Sequence, residues 1–229
     1  MGVTFGTPVV NTMSSRTSFT LAMSGVTTGQ PILVMTYGWS VAGASGITDD
    51  FATPYTWTKV VQKNTVNSTN TEVWIGTGGA GTSGTLTVAR DGAAVTWGGI
   101  GTALAGASTA AGAGAIDSSG SSSSASDVTL TPAPLTPSAA GQGALYAWGG
   151  AFYNPTDYPD APWASTDLQT GATKTAGQAT YASPTASESL ATTWTSAGAG
   201  AWNSVSVMVK AEDTTPAPRG TSREVIAVL

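Results

Sequence analysis

The side chains that most often carry out chemistry in proteins are scarce in this sequence. It contains no histidine and no cysteine, so Ser-His-Asp and Cys-His nucleophile arrangements cannot be built. Zinc and iron sites that use imidazole or thiolate ligands are excluded for the same reason. The glycine-rich run at residues 76–84 lies between two strand patterns and opens no helix, so it predicts a hairpin loop and not a phosphate-binding loop.

Carboxylates are the groups that remain for catalysis. A pair of Asp or Glu side chains is sufficient for glycoside hydrolysis, and the candidates are Glu72, Asp91, Asp157, Asp160 and Glu188. Glu72 occupies a solvent-facing position of a predicted strand, and Asp91 is followed by glycine as in a hairpin turn. The sequence therefore predicts no catalytic residue, no enzymatic activity and no cofactor.

Oxygen ligands for a calcium ion are also sparse. Asp49 and Asp50 are adjacent, and Asp157 and Asp160 share one loop. Neither pair has the dense acidic spacing of a dedicated calcium loop. Turn and capping roles are favoured for these residues, and no metal site is predicted.

An aromatic, proline-rich loop at residues 152–163 contains Tyr153, Tyr158 and Trp163. These rings could stack on a sugar, cover one end of the domain or pack on a neighbouring protein. Aromatic loops serve protein interfaces at least as often as they bind sugars. The three residues are therefore candidates for glycan binding, as the alternative to a purely structural role.

The composition limits the partners of the chain. Charged residues make up only 9% of the sequence, against about a quarter in typical proteins. The net charge of −5 leaves no basic patch for nucleic acid, and no segment has the about 18 apolar residues of a membrane span. Eight tryptophans indicate a folded chain. Its neutral, hydroxyl-rich surface suits a subunit that is packed among neighbours.

The elements that position all these residues are predicted to be strands. Residues 57–104 contain four β-rich runs separated by polar and glycine clusters, and Val73 and Ile75 alternate there with Glu72 and Trp74. This period of two is typical of strands. Further strands are predicted at 18–23, 31–40, 127–131, 143–150 and 194–211. About nine or ten strands without a convincing helix predict an all-β, antiparallel jelly-roll-like β-sandwich.

The predicted domain spans residues 17–211 and has an extended arm at each end. The N-terminal arm, residues 1–16, places its candidate partner-binding residues Val3 and Phe5 on one face. The C-terminal arm, residues 212–229, ends in a β-prone apolar segment whose candidate partner-binding residues are Val225, Ile226, Val228 and Leu229. Such a segment docks on its own domain or adds to an edge strand of a neighbour. The Gly/Ala/Ser-rich segment 105–126 is predicted to be a flexible loop, or a loop ordered only by a neighbouring subunit.

Several of the strand sequences resemble a known family. YTWTKV at residues 55–60, TEVWIG at 71–76 and GTLTV at 84–88 resemble the jelly-roll domains of virion proteins from tailed bacteriophages. The likeness is to head decoration or minor tail proteins of actinobacterial phages in particular. Residues 143–150 and 201–210 fit the closing strands of that domain. The resemblance implies a non-enzymatic role on the virion surface and frequent assembly as a homotrimer.

These observations lead to one main hypothesis and one alternative. The chain is expected to be a structural subunit of a tailed-phage virion, assembled in the host cytoplasm, whose arms contact further copies and the major capsid or tail proteins. No nucleic-acid or membrane partner is expected. The alternative is a carbohydrate-binding adhesion module that uses the aromatic loop to bind host cell-surface glycans.

Overall fold

A computed structural model describes residues 2–64, 69–151, 155–157, 159–170 and 173–213. These residues form strands and one short 3-10 helix, Gly112–Ala115, and no α-helix is present among them. The all-β prediction is therefore confirmed. The strands are β1 (Thr4–Phe5), β2 (Val9–Arg16), β3 (Ser18–Ser24), β4 (Ile32–Gly38), β5 (Gly46–Asp49), β6 (Thr56–Asn64), β7 (Asn70–Thr77), β8 (Ser83–Ala89), β9 (Val95–Ala105), β10 (Ile116–Leu130), β11 (Gly143–Ala151), β12 (Pro155–Asp157), β13 (Ala164–Thr170), β14 (Thr173–Ala182) and β15 (Trp194–Val209).

The strands form three antiparallel sheets. The middle sheet has the order β1-β9-β4-β7-β6, with β2 also pairing with β9. A small sheet has the order β3-β8-β5, and the third sheet has the order β10-β15-β11-β14-β13, with β12 pairing with β15. The small sheet and the third sheet cover opposite faces of the middle sheet, so the sandwich has three layers.

The first half of the chain passes repeatedly between two of these sheets. Strands β2, β4, β7 and β9 belong to the middle sheet, whereas β3, β5 and β8 belong to the small one. Residues 76–84 therefore join β7 to β8 across the sandwich, and Asp91 lies in the connection from β8 to β9. Both were predicted to be hairpin turns, and both predictions are wrong. Glycine-rich connections between sheets have the same composition as hairpin turns.

Two apolar cores lie on the two faces of the middle sheet. Successive side chains of a strand point to opposite faces, so Val73 and Ile75 enter one core while Trp74 enters the other. In the first core, Val73 and Ile75 lie in one cluster with Leu145, Val205 and Val207 of the third sheet. The second core contains Phe19, Leu21, Leu86 and Val88 of the small sheet. Every residue of β4 is buried, as predicted for a central strand.

The outer face of the third sheet carries a third apolar cluster. Tyr146, Trp148 and Trp194 are fully buried there. Loop residues cover them, because Leu135 and Leu190 form a bridge over this face. Irregular segments therefore cover the outer face of the third sheet, whereas strands of the other two sheets cover the two faces of the middle sheet.

The N-terminal segment belongs to the sandwich, which corrects the prediction of an extended arm at residues 1–16. Both β1 and β2 pair with β9. Val3 is completely buried in the first core, and its N–H donates to the Gly141 carbonyl at 2.7 Å. Burial of its apolar side chains fixes this segment to its own domain.

The Gly/Ala/Ser-rich segment is also ordered, which corrects the predicted loop at residues 105–126. Ala105 ends β9, and from Ile116 onward the chain forms β10, which pairs with β15 along its whole length. The predicted strand at 127–131 is the end of this long strand. Gly198 and Gly200 lie inside β15.

Candidate interaction surfaces

Glu72 is a buried carboxylate in the middle of the sandwich. The prediction that it faces solvent is wrong, because the small sheet and its loops cover the outer face of β7. Its Oε1 accepts from Lys59 Nζ at 2.9 Å. Its Oε2 accepts from Trp74 Nε1 at 2.9 Å and from the Ala44 N–H at 3.1 Å. With the Thr36 hydroxyl, which donates to Oε2 at 3.5 Å, four donors satisfy the charge that burial would otherwise penalise.

Lys59 connects this buried site to the surface. It lies on β6, the edge strand of the middle sheet, and its side chain is 31% exposed. Its ammonium group also donates to Gln62 Oε1 at 3.1 Å and lies 5.0 Å from the centre of the Trp74 ring. A β-bulge follows between Lys59 and Val61. The ion pair thus links the edge strand β6 to a buried residue of the neighbouring strand β7.

The loop of residues 39–45, here called the Trp39 loop, presents two large apolar side chains to solvent. Trp39 is 44% exposed and Val41 is 52% exposed. Glu72 holds one end of the loop through the Ala44 N–H, and a side chain at Gly43 would collide with Glu72 Oε1. The backbone of the loop therefore has to approach the carboxylate closely, which only glycine permits.

Arg90 holds the same loop from its other side. The residue is only 8% exposed. One guanidinium nitrogen donates to Ser40 Oγ at 3.0 Å and to the Ala42 carbonyl at 3.5 Å, and another donates to the Ala93 carbonyl. The loop is fixed between two charged side chains, so Trp39 and Val41 form an apolar surface on a rigid support. Large apolar residues within a glycine- and serine-rich loop were the signal in the sequence, and the predicted sites did not include them.

Three further carboxylates, Asp49, Asp50 and Glu188, serve local structure. Asp49 accepts from Trp57 Nε1 at 2.8 Å and from the Tyr55 N–H at 3.1 Å, and Asp50 accepts from a backbone N–H of β8. Hydrogen bonds from the Thr185 N–H and hydroxyl lower the pKa of Glu188 below its ordinary value. In the part of the chain that the structure describes, no three acidic residues are grouped to hold a metal ion.

The aromatic loop is only partly described, because Tyr153 and Tyr158 lie outside the described residues. Trp163 is half-buried and packs on the third core. Its ring lies 4.8 Å from the Tyr146 ring and 5.4 Å from the Tyr181 ring, centre to centre. Asp157 is exposed on β12, and Asp160 lies in the turn before Trp163. Of the alternatives considered for this loop, Trp163 fits the one in which it covers the domain.

The partner-binding residues predicted in the two arms have different outcomes. Val3 is buried and Phe5 packs partly buried against the first core, so both contact their own domain. Val225, Ile226, Val228 and Leu229 lie outside the described residues. Their docking on a neighbour stays a prediction.

The strand β10 presents a second surface that the predicted sites did not include. It is the edge of the third sheet, and its pairing with β15 is regular from Ser118 to Ser124. Residues 118–124, here called the open edge, are one glycine and six serines. Ser119, Ser121 and Ser123 are exposed. Along this stretch the described part of the chain supplies no second strand.

Comparisons with protein-family models, with curated proteins and with solved structures gave no match. Within the described ranges, no helix is long and apolar enough to cross a bilayer.

Proposed function

We propose that this protein is a structural subunit of a tailed-phage virion, as a capsid decoration or minor tail protein. The observation that carries the proposal is the strand order of residues 9–105. It supports the jelly-roll fold that the resemblance of the strand motifs implies.

An eight-stranded jelly roll, with strands lettered B to I in chain order, has sheets of order B-I-D-G and C-H-E-F. With β2 as strand B, the order β2-β9-β4-β7 corresponds to B-I-D-G. The small sheet, β3-β8-β5, corresponds to C-H-E. Strand β6 departs from the pattern, because it pairs with β7 and not with β5. This order supports a jelly roll over residues 9–105, with the third sheet as an added layer.

Jelly rolls form viral capsid domains and lectin domains, so the fold alone does not decide the function. The surface favours the structural role. Charged residues are 9% of the chain, and the Trp39 loop and the open edge offer apolar and backbone contacts. The partners on this proposal are further copies of the chain and the phage major capsid or tail proteins. Its location is the virion, after assembly in the host cytoplasm.

Carbohydrate binding is the second candidate function. It is favoured by Trp163 and Tyr181, whose rings are partly buried and lie 5.4 Å apart, because aromatic rings at a surface can receive a sugar face. Loss of glycan-array binding on Trp163→Ala, with binding retained by Trp39→Ala, would support this function over the first.

Quantitative mass spectrometry of purified particles of the phage that encodes the chain tests the main proposal. We expect the protein to copurify with the particles at a fixed copy number. Hundreds of copies would indicate decoration of the head, and a handful would indicate the tail. Absence from purified particles, while the protein is present in the lysate, would refute the proposal.

A further inference from the structure

The open edge lacks the features with which natural proteins protect edge strands. Such strands usually carry lysine, proline, an inward-pointing charge or a bulge, because their unpaired N–H and C=O groups can otherwise pair with another chain. Residues 118–124 contain no charged residue and no proline. Their pairing with β15 has no irregularity between Ser118 and Ser124. The edge is therefore long, regular and neutral.

Several other edge strands of the described chain are protected. Strand β6 has Lys59, Lys63 and a bulge. Strand β13 has Asp167 and a bulge after Leu168, and β5 has only four residues. Strand β3 is uncharged, but the Asn11 side chain donates to its Thr20 carbonyl. In charge and regularity, residues 118–124 differ from β6, β13 and β5, although β10 has Asp117, Asp127 and register shifts outside this stretch.

We propose that the open edge is a self-association surface, and that its occupant is the open edge of a second copy in antiparallel pairing. The sequence of the edge is self-complementary in the sense that such a contact requires. Serine faces serine or glycine, no charge is buried, and cross-strand hydroxyl pairs add to the main-chain hydrogen bonds. A two-fold contact of this kind closes as a dimer, in contrast to the trimer that the family resemblance implies.

The geometry of antiparallel pairing also restricts the register. Every second residue of an edge strand directs its N–H and C=O groups away from its own sheet. Two residues that face each other across an antiparallel contact must either both have this orientation or both lack it. In a two-fold pairing this condition places one residue opposite its own copy. Centring the contact on Ser121 pairs Ser118 with Ser124 and sets Asp117 opposite Ala125. Centring it on Ser122 would instead oppose Asp117 to Asp127, which repel.

Single cysteine variants of the full chain test this register, because the native chain has no cysteine. In Ser121→Cys the two thiols face each other with Cα atoms about 5 Å apart, within the range of a disulfide. The matched control is Ser119→Cys, which is also exposed and lies on the same strand face. Its two copies would lie about 13 Å apart along the strands.

Under mild oxidation we expect Ser121→Cys to form a covalent dimer and Ser119→Cys to stay monomeric on non-reducing gels. Equal cross-linking of both variants, or of neither, would overturn the proposal. The C-terminal segment of a second copy is the competing occupant. If Ile226→Asp, introduced beside Ser121→Cys, abolishes the cross-link, that segment and not the open edge makes the contact.

Sedimentation of the unmodified protein gives an independent test that does not depend on particles. We expect a concentration-dependent dimer whose dissociation constant rises at least about tenfold in Ser121→Lys, because two like charges then oppose each other. Ser24→Lys adds the same charge to exposed Ser24 of β3 and is expected to leave the dimer unchanged. Equal weakening by both variants would contradict the proposal. A soluble dimer without virion incorporation would refute only the proposed function.

Discussion

Strands β6 and β10 lie against each other on one side of the sandwich, yet they end their sheets in opposite ways. On β6, Lys59 and Lys63 flank a bulge, and Lys59 is tied to buried Glu72. On β10 the open edge is neutral and regular. The chain has only eight basic residues, and two of them protect β6. This difference is what we expect if β6 stays unpaired and the open edge pairs with a second copy.

Glu72→Ala is expected to have the largest effect on stability, because it removes the partner of Lys59 on β6. The change leaves the Trp74 Nε1–H and the Ala44 N–H without their acceptor, and Lys59 can turn to water. We expect the free energy of unfolding to fall by about 3 kcal/mol, as measured by urea denaturation.

The control for this change is Glu188→Ala, which removes a carboxylate from the surface. We expect a much smaller loss of stability in the control, and an unchanged dimer at β10 in both variants. Equal destabilisation by the two changes would show that the buried ion pair is not what holds β6.

Gly120→Val is expected to have the next largest effect, on the β10 side. A Cβ at Gly120 would lie 2.8 Å from Ala133 Cβ and 3.0 Å from Ser206 Oγ, so the larger side chain must displace residues 131–135. We expect a loss of about 2 kcal/mol in the free energy of unfolding. The control is Gly46→Val on β5, where nothing lies within 4 Å of the added Cβ. A stable Gly120→Val protein would contradict the packing behind β10.

Much of this two-edge arrangement could not be predicted from the sequence. Strands β3, β4 and β11 were predicted, because their apolar residues recur with the period or the continuity of buried strands. The open edge was not, because serine and glycine carry no apolar period. Strand β10 exists through its pairing with distant β15, and such tertiary context overrides local propensity.

The buried site shows a second limit of prediction from local pattern. Alternation correctly assigned Glu72 and Trp74 to one face of β7, but one face was assumed to be solvated as in a two-layer sandwich. The third layer removes that solvent. The Trp39 loop was missed for a related reason: its rigidity depends on Glu72 and Arg90, which lie far from it in the sequence.

Removal of the Tyr146 hydroxyl is expected to have a smaller effect on stability. Tyr146 supports residues 131–135, which pack behind β10, so this change tests the β10 side of the comparison. Its hydroxyl donates to the Leu190 carbonyl at 2.7 Å and accepts from the Leu135 N–H at 3.1 Å. We expect Tyr146→Phe to lower the free energy of unfolding by about 1 kcal/mol. The control is Tyr181→Phe, whose hydroxyl contacts only the surface carboxylate of Glu188 among the described partners.

The pH dependence of stability tests the same residue. Burial raises the pKa of Tyr146 from 10.0 to about 12, so the fold holds the neutral phenol. Its contribution is complete below the unfolded pKa and is lost as the pH rises through the folded pKa. Stability should therefore decline from pH 10.0 toward about 12, and less steeply in Tyr146→Phe. Identical slopes in the two proteins would contradict this assignment. Burial also raises the pKa of Tyr37, so some decline remains in the variant.

Lys63→Ser is expected to have the smallest effect on stability, and it tests the comparison most directly. Lys63 is a half-exposed residue on β6, and surface changes of this kind usually alter the free energy of unfolding by less than about 0.5 kcal/mol. If charge keeps β6 unpaired, its removal should create a second open edge. We expect self-association to reappear in the Ser121→Lys background, in which β10 is blocked.

Lys210→Ser removes the same charge after β15 and should not restore association in sedimentation experiments. If neither variant associates, the bulge and the Lys59–Glu72 pair are sufficient to protect β6. The difference between the two edges would then depend on the bulge and on this ion pair, and not on the charge of Lys63.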